Sequence, residues 1–190
     1  MVQVILVPLT THGVQEFIEG LCTEVKKVLE DAGLRDVNVI PWPEVVKPST
    51  KCFNWSRGQY HANCLVKYVR DQFQVLGVVG RVYIVGVGYL DSYEHGLNFV
   101  FGEAQPEYKV AVVFTKRLRP EYYGELQDYN LYFERLVKEV VHELGHLLGL
   151  EHCNNYCVMR FSNSIREVDG KPRYYCDDCK VRILRGLGIT

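Results

Sequence analysis

Val141-His142-Glu143-Leu144-Gly145-His146-Leu147-Leu148-Gly149-Leu150-Glu151-His152 reads, from its second residue, H-E-x-x-H-x-x-G-x-x-H. Positions four apart on an α-helix lie one turn apart on the same face, so the rings of His142 and His146 can hold one cation between them. Glu143 leaves the helix beside them, within reach of a water on that cation. Gly149 permits the backbone conformation with which helices end, and the turn that follows returns His152 to the same point as a third nitrogen ligand. Three protein ligands with a fourth position open is the pattern of a catalytic zinc, whereas structural zinc is closed by four. A solvated helix that happens to carry two histidines and a glutamate accounts for the five-residue core. It does not account for the added glycine and third histidine.

Helix phase gives an independent argument. Phe133, Leu136, Val137, Val140, Leu144, Leu147 and Leu148 fall on one apolar stripe, and His142 and His146 project from roughly the opposite side. Upstream, that side carries Arg135, Lys138 and Glu139, which are expected to be solvated. The histidines are therefore expected to face a surface or cleft that substrate and water can reach. Asp128 is placed to cap this helix, which is predicted to run to about Leu148.

The rest of the chain bounds what such a site belongs to. It has 190 residues, 47% of them hydrophobic, which suits one domain with a real core and excludes disorder. A formal net charge of −1 argues against a broad electrostatic grip on nucleic acid or an anionic membrane. No apolar run approaches a membrane span, and the first one, Val2 to Pro8, reads as a strand and not as a secretory signal. A cytoplasmic location is the simplest expectation.

In chain order, a strand at Val2–Pro8 precedes a helix to about Ala32, with Thr11 a candidate cap and Gly33 closing it. A second strand at Val37–Ile40 precedes a polar loop through Gly58 and a helix from Tyr60 to about Leu76. Further strands are expected at Arg81–Val87, Leu97–Phe101 and Lys109–Thr115. Strand alternating with helix implies a parallel sheet with helical crossovers. No helix separates the last three strands, so a pair among them can be antiparallel, as suits a sheet edge. After Gly149 the chain looks irregular up to a short basic helix at Asp177–Leu187. The predicted fold is α/β, with a mixed twisted sheet of about five strands. Residues 1–150 hold the α/β part and active-site helix, and residues 151–190 hold a small C-terminal part.

Seven cysteines make a poor disulfide framework in a chain without a signal. Cys22, Cys52 and Cys64 are scattered and read as small core residues. Cys153, Cys157, Cys176 and Cys179 form two close pairs, the usual format of a four-thiolate zinc. The tail carries little apolar sequence of its own. A closed second zinc would tie it down, and with it the third histidine, since structural zinc in small peptides is worth on the order of 10–16 kcal/mol apparent. Reduced thiols, a redox pair or a nucleic-acid-binding ribbon are the alternatives. Met159 is placed to form an apolar floor under the histidine rings.

The extended histidine motif followed by a methionine resembles the metzincin metallopeptidases, and the interleaved cysteine pairs resemble their archaemetzincin branch. Gly58-Gln59-Tyr60, Leu97-Asn98-Phe99-Val100-Phe101-Gly102-Glu103-Ala104 and Phe161-Ser162-Asn163-Ser164 extend the resemblance over most of the chain. The resemblance implies that His142, His146 and His152 bind a catalytic zinc and that Glu143 is the general base. It implies a methionine turn at Met159 and a second zinc on Cys153, Cys157, Cys176 and Cys179. It also implies that the Leu97–Phe101 strand is the sheet edge lining the cleft, where an extended peptide adds as a strand. One departure is that three residues separate Cys153 from Cys157, one fewer than the family pattern. The expected molecule is a monomer acting on peptides through two zinc ions. A non-catalytic zinc-binding module that keeps the peptidase fold is the alternative. His12, His61 and His95 are expected on loops or helix surfaces, with His12 and His95 candidates to border the cleft, and Tyr156 a candidate to approach the zinc.

Overall fold

The computed structural model describes residues 1–189. In chain order its elements are β1 (Val2–Pro8), α1 (Ile18–Asp31), β2 (Val37–Pro41), β3 (Phe53–Asn54), β4 (Gln59–His61), α2 (Ala62–Gln74), β5 (Tyr83–Gly88), β6 (Ser92–Tyr93), β7 (Gly102–Gln105), β8 (Val110–Phe114), α3 (Tyr129–Leu147), α4 (Ile165–Gly170) and α5 (Asp177–Gly186). Five strands form a mixed sheet in the order β2-β1-β5-β8-β7. The first four are parallel to their neighbours, and β7 runs antiparallel to β8 at the edge.

Alternation along the strands sorts the core into two layers. Val4, Leu6, Val85, Val87, Ala111 and Val113 face α1 and α3, joined by Leu21, Val25, Leu136 and Val140. Ile5, Val7, Ile84, Val110, Val112 and Phe114 face α2, joined by Leu65, Val66, Val69 and Phe73. A strand with apolar residues on both faces is what the unbroken hydrophobic runs of β1 and β8 require.

The edge strand lies further along the chain than its composition suggests. Residues 97–101 are irregular, and pairing with β8 begins at Gly102, opposite Val113. The carbonyl of Asn98 accepts from the side chains of Arg57 and Gln59, both at 3.1 Å, instead of from a strand neighbour. Arg57 sits in the turn between β3 and β4, and Gln59 opens β4, in a small second sheet, β3-β4-β6, that no sequence pattern announces. Its strands are two or three residues long, too short for periodicity to register. The first helix likewise starts late, at Ile18 after a 3₁₀ turn at Gln15–Phe17, and Thr11 does not cap it.

Cys52 and Cys64 form a disulfide, with Cα atoms 5.5 Å apart, so they are not separate core thiols. Cys52 ends a 3₁₀ turn and Cys64 sits in the first turn of α2, which brings two residues that are remote in pattern into bridging range. The odd cysteine count misleads because four others cluster elsewhere and only Cys22 is left alone and buried.

The C-terminal part also departs from expectation. Val158, Met159, Val168, Tyr175 and Ile183 are buried within the α1–α3 layer, so the tail does contribute apolar core. The face of α3 carrying Arg135, Lys138 and Glu139 is covered, not solvated. Arg135 makes a bidentate pair with Asp169, both bonds 2.7 Å. Lys138 donates to the carbonyls of Val168 and Asp169 at 3.2 and 3.1 Å, and Lys171 lies 2.8 Å from Glu139. Buried charges persist only when paired, and here the partners come from α4 and the residue after it. Among the described residues no helix is long and apolar enough to cross a membrane.

Candidate active site

The site begins with the ends of α3. The Asp128 carboxylate accepts from Leu131 N–H at 3.0 Å and caps the start. At the other end Gly149 takes φ +89°, with its N–H on His146 O (3.0 Å) and Leu150 N–H on Gly145 O (2.9 Å). That glycine-closed turn reverses the chain and carries His152 back toward the helix face.

His142, His146 and His152 converge, their nearest ring nitrogens lying within 4.8 Å of one another. The Nε2 atoms of His142 and His146 are 3.2 Å apart. Two nitrogens on a tetrahedral zinc at about 2.0–2.1 Å lie about 3.3 Å apart, so the spacing suits that ion. The opposite ring nitrogens are held by the backbone. His142 Nδ1 donates to Val158 O at 2.9 Å and His146 Nδ1 to Leu150 O at 2.8 Å. This fixes the tautomer and leaves each Nε2 lone pair directed at the shared point. Burial first, then Lys171 and His146, holds His142 well below the usual imidazole range, and burial lowers His146 and His152 too. Neutral imidazoles are what a cation requires.

The three rings open on a cleft of about 350 Å³ walled by Leu97, Val100 and residues 101–104 on one side and by Phe161, Ser162 and Lys171 on the other. Glu143 lies in it, 5% exposed. Burial, then Glu139 and Glu103, pushes its carboxyl well above the ordinary range. The edge strand passes so close that a Cβ at Gly102 would overlap the Glu143 carboxylate. Met159 packs beneath the helix, where a Cβ at Gly145 would overlap its sulfur and meet Tyr175 Cε1 at 3.0 Å.

The sulfurs of Cys153, Cys157, Cys176 and Cys179 also gather within 4.8 Å. Cys153 and Cys176 Sγ are 3.8 Å apart, and two thiolates on a tetrahedral zinc at about 2.3 Å lie about 3.8 Å apart. Cys176 N–H donates to Cys157 Sγ (3.2 Å) and Asn155 Nδ2 to Cys176 Sγ (3.6 Å). Burial disfavours the Cys176 thiolate, but its hydrogen bonds, from the Cys179 backbone and Asn155 first, bring its pKa down to about 7. The short Cys153–Cys157 spacing does not keep the four apart.

Residues 7–185 match peptidase family M54. The chain belongs to peptidase family M54. It is a zinc metallopeptidase of the archaemetzincin kind. An archaemetzincin of Archaeoglobus fulgidus is 41% identical over 166 residues, 87% of this chain and 90% of that one. The crystal structure of a zinc-dependent peptidase from Methanocorpusculum labreanum superposes with a TM-score of 0.81 at 28% identity, covering 96% of this chain and 100% of that one. That of an archaemetzincin from Methanopyrus kandleri gives 0.78 at 33% identity, covering 98% and 96%.

Other candidates fall outside the cleft of this M54 peptidase. His12 packs edge-on against Tyr89, His61 pairs with Glu94 at 3.3 Å and accepts from Cys64 N–H, and His95 sits in an exposed turn. Tyr156 is 71% exposed and does not line the cleft. Phe161 is the aromatic that reaches the centre, its ring 4.9 Å from that of His152. The Lys171–Glu139 pair lies in the cleft wall with both side chains nearly inaccessible, and Lys171 Nζ is 3.4 Å from His142 Nδ1. Glu139 sits one turn before His142 on the same helix face, a legible signal; nothing in the residue pattern points to Lys171.

Proposed function

We propose that His142, His146 and His152 hold one zinc ion facing the cleft, that Cys153, Cys157, Cys176 and Cys179 hold a second, structural one, and that Glu143 is the general base and acid of peptide hydrolysis. The observation that carries this reading is the pair of Nε2 atoms 3.2 Å apart, each turned inward by its backbone hydrogen bond, with Glu143 beside them in one cleft. When bound, the cleft zinc supplies a Lewis acid that lowers the pKa of a water from about 15.7 to about 7 and draws charge from the scissile carbonyl.

The chain's own residues do the rest. Glu143, whose proton affinity is raised by burial and by Glu139 and Glu103, takes the proton of the attacking water and delivers it to the leaving amine. The outer edge of β7, last in the sheet order, offers main-chain groups to an extended peptide. Met159 and Tyr175 brace the helix from below, and the Tyr175 hydroxyl donates to Val141 O at 2.7 Å. The four-cysteine centre pins residues 153–157 to the start of α5. Residues 1–190 act as one domain, a monomer at work in the cytoplasm without nucleic-acid or membrane partners; the burial of tail residues among those of β1 and β5 supports the single domain.

A non-catalytic module has no use for a buried carboxylate beside three imidazoles. Glu143→Gln separates the two readings. Turnover of a peptide library is expected to fall by about 10²–10⁴-fold while zinc content by mass spectrometry stays unchanged. Undiminished turnover refutes the role of Glu143, and turnover insensitive to a chelator refutes that of zinc.

A further inference from the structure

A second cavity, of about 270 Å³, lies beside the cleft and shares with it the wall made by Leu97, Val100, Phe161 and Ser162. Its other lining residues are Gly96, Asn98, Phe99 and Asn163, so no ionisable side chain faces it. Both sides of it are preformed. On one side the Asn98 carbonyl is clamped by Arg57 and Gln59, and Phe99 is backed by Arg117, whose guanidinium lies 4.5 Å from the ring centre and pairs with Asp91. The Arg117 charge is already paired, and Arg57 donates to neutral groups. On the other side Asn163 N–H donates to Glu167 Oε2 at 2.6 Å, at the start of α4. Leu97 and Phe161 stand at the partition, 43% and 51% exposed. Large apolar side chains left in solvent on either side of a passage are unspent binding surface. Phe161 also touches His152, which ties the partition to the catalytic centre.

An extended chain lying across the cleft advances about 3.3 Å per residue and returns a side chain to the same face every second residue. It therefore delivers a side chain to the neighbouring cavity. We propose that this cavity is a substrate subsite, which selects an uncharged apolar side chain of the peptide at a position removed from the scissile bond. The proposal rests on the peptidase reading of the cleft. Charged side chains are rejected because no ionisable side chain lines the cavity to serve as counter-ion.

Asn163 and Asn98 line the second cavity and not the cleft, so they are clean probes. The experiment uses zinc-loaded full chain and a cleaved octapeptide carrying Leu, Asp or Lys at each position in turn. In the wild type, one position two or more residues from the cut is expected to favour Leu by about tenfold in kcat/KM. Asn163→Trp, which fills the cavity, erases that preference and spares peptides too short to reach it. Asn98→Asp, which keeps the clamped carbonyl and adds a charge, shifts the same position toward Lys by about tenfold. No such position, or equal effects of both variants on every peptide, overturns the subsite. If the wild type cleaves no peptide, the peptidase reading fails and the subsite is judged by binding. Glu143→Gln is then titrated with the same peptides, fluorescently labelled. Leu-over-charge selectivity that Asn163→Trp abolishes upholds the subsite, and equal binding with and without Asn163→Trp overturns it.

Discussion

The histidine and cysteine clusters of this chain are adjacent in sequence, His152 preceding Cys153, yet they are built in opposite ways. The histidines grade from buried His142 through half-buried His146 to exposed His152, so the cluster is open on the side of the cleft. All three lie within eleven residues of one helix and the turn that ends it. The cysteines alternate half-buried and buried, and they join two segments separated by nearly twenty residues. An open centre needs the fold to hold its ligands, since a vacant position does nothing for stability. A closed centre has every position occupied and can hold the fold in return.

Cys179→Ser is the hardest test of that contrast. It is expected to lose one zinc and to destabilise the chain by on the order of 5 kcal/mol, a fraction of the 10–16 kcal/mol apparent for structural zinc in peptides. Two zinc ions retained with an unchanged melting temperature would break the comparison. By contrast, a chelator weak enough to take only the histidine-held metal is expected to abolish turnover with little change in melting temperature.

The remaining cysteine pair sharpens the division between oxidation and ligation. Converting both Cys52 and Cys64 to Ser is expected to lower stability by about 3 kcal/mol, the chain-entropy figure for a loop of this size, with zinc content unchanged. Loss of zinc in that variant would show that the pairs are not independent. Gly145→Ala probes the floor between the centres. Its methyl meets the Met159 sulfur and Tyr175, so a loss of about 1–3 kcal/mol is expected in denaturant melts. A neutral outcome would mean that Met159 is not packed against the helix.

The smallest effect is that of pH on the metal-free chain. His142, His146 and His152 have proton affinities lowered by burial relative to an unfolded pKa near 6.5. The unfolded chain therefore takes up more protons as pH falls through about 6.5, and stability declines. Glu143 and Glu103 oppose this, because burial raises both carboxyls, Glu103 to about 7, and a raised carboxyl pKa favours the folded state as pH falls. With the two carboxyls removed in Glu143→Gln/Glu103→Gln, the loss from the three imidazoles is expected to stand alone, visible as a lower melting temperature at about pH 5 than at pH 7. A flat profile would mean that the rings are more accessible to water than their burial indicates.

Much of the architecture is legible because it is local. The strands β1, β2 and β5 with helices between them, the Asp128 cap and the Gly149 turn follow from runs, caps and spacing within a few residues. The edge strand was displaced from its most β-prone residues because the Asn98 carbonyl is claimed by side chains of β4 and the loop before it. The solvated reading of Arg135, Lys138 and Glu139 failed because a charged helix face looks the same whether water or α4 answers it.

Sequence alone picked out the two candidate clusters, the glutamate between the histidines and the family they resemble, since each depends on side-chain chemistry at helical or near-neighbour spacing. Only the tertiary structure decided the Cys52–Cys64 bridge, the Glu139–Lys171 pair in the cleft wall, Phe161 against His152 and the second cavity beyond it. Those contacts join residues far apart along the chain, and no local periodicity carries information about which distant segment will pack where.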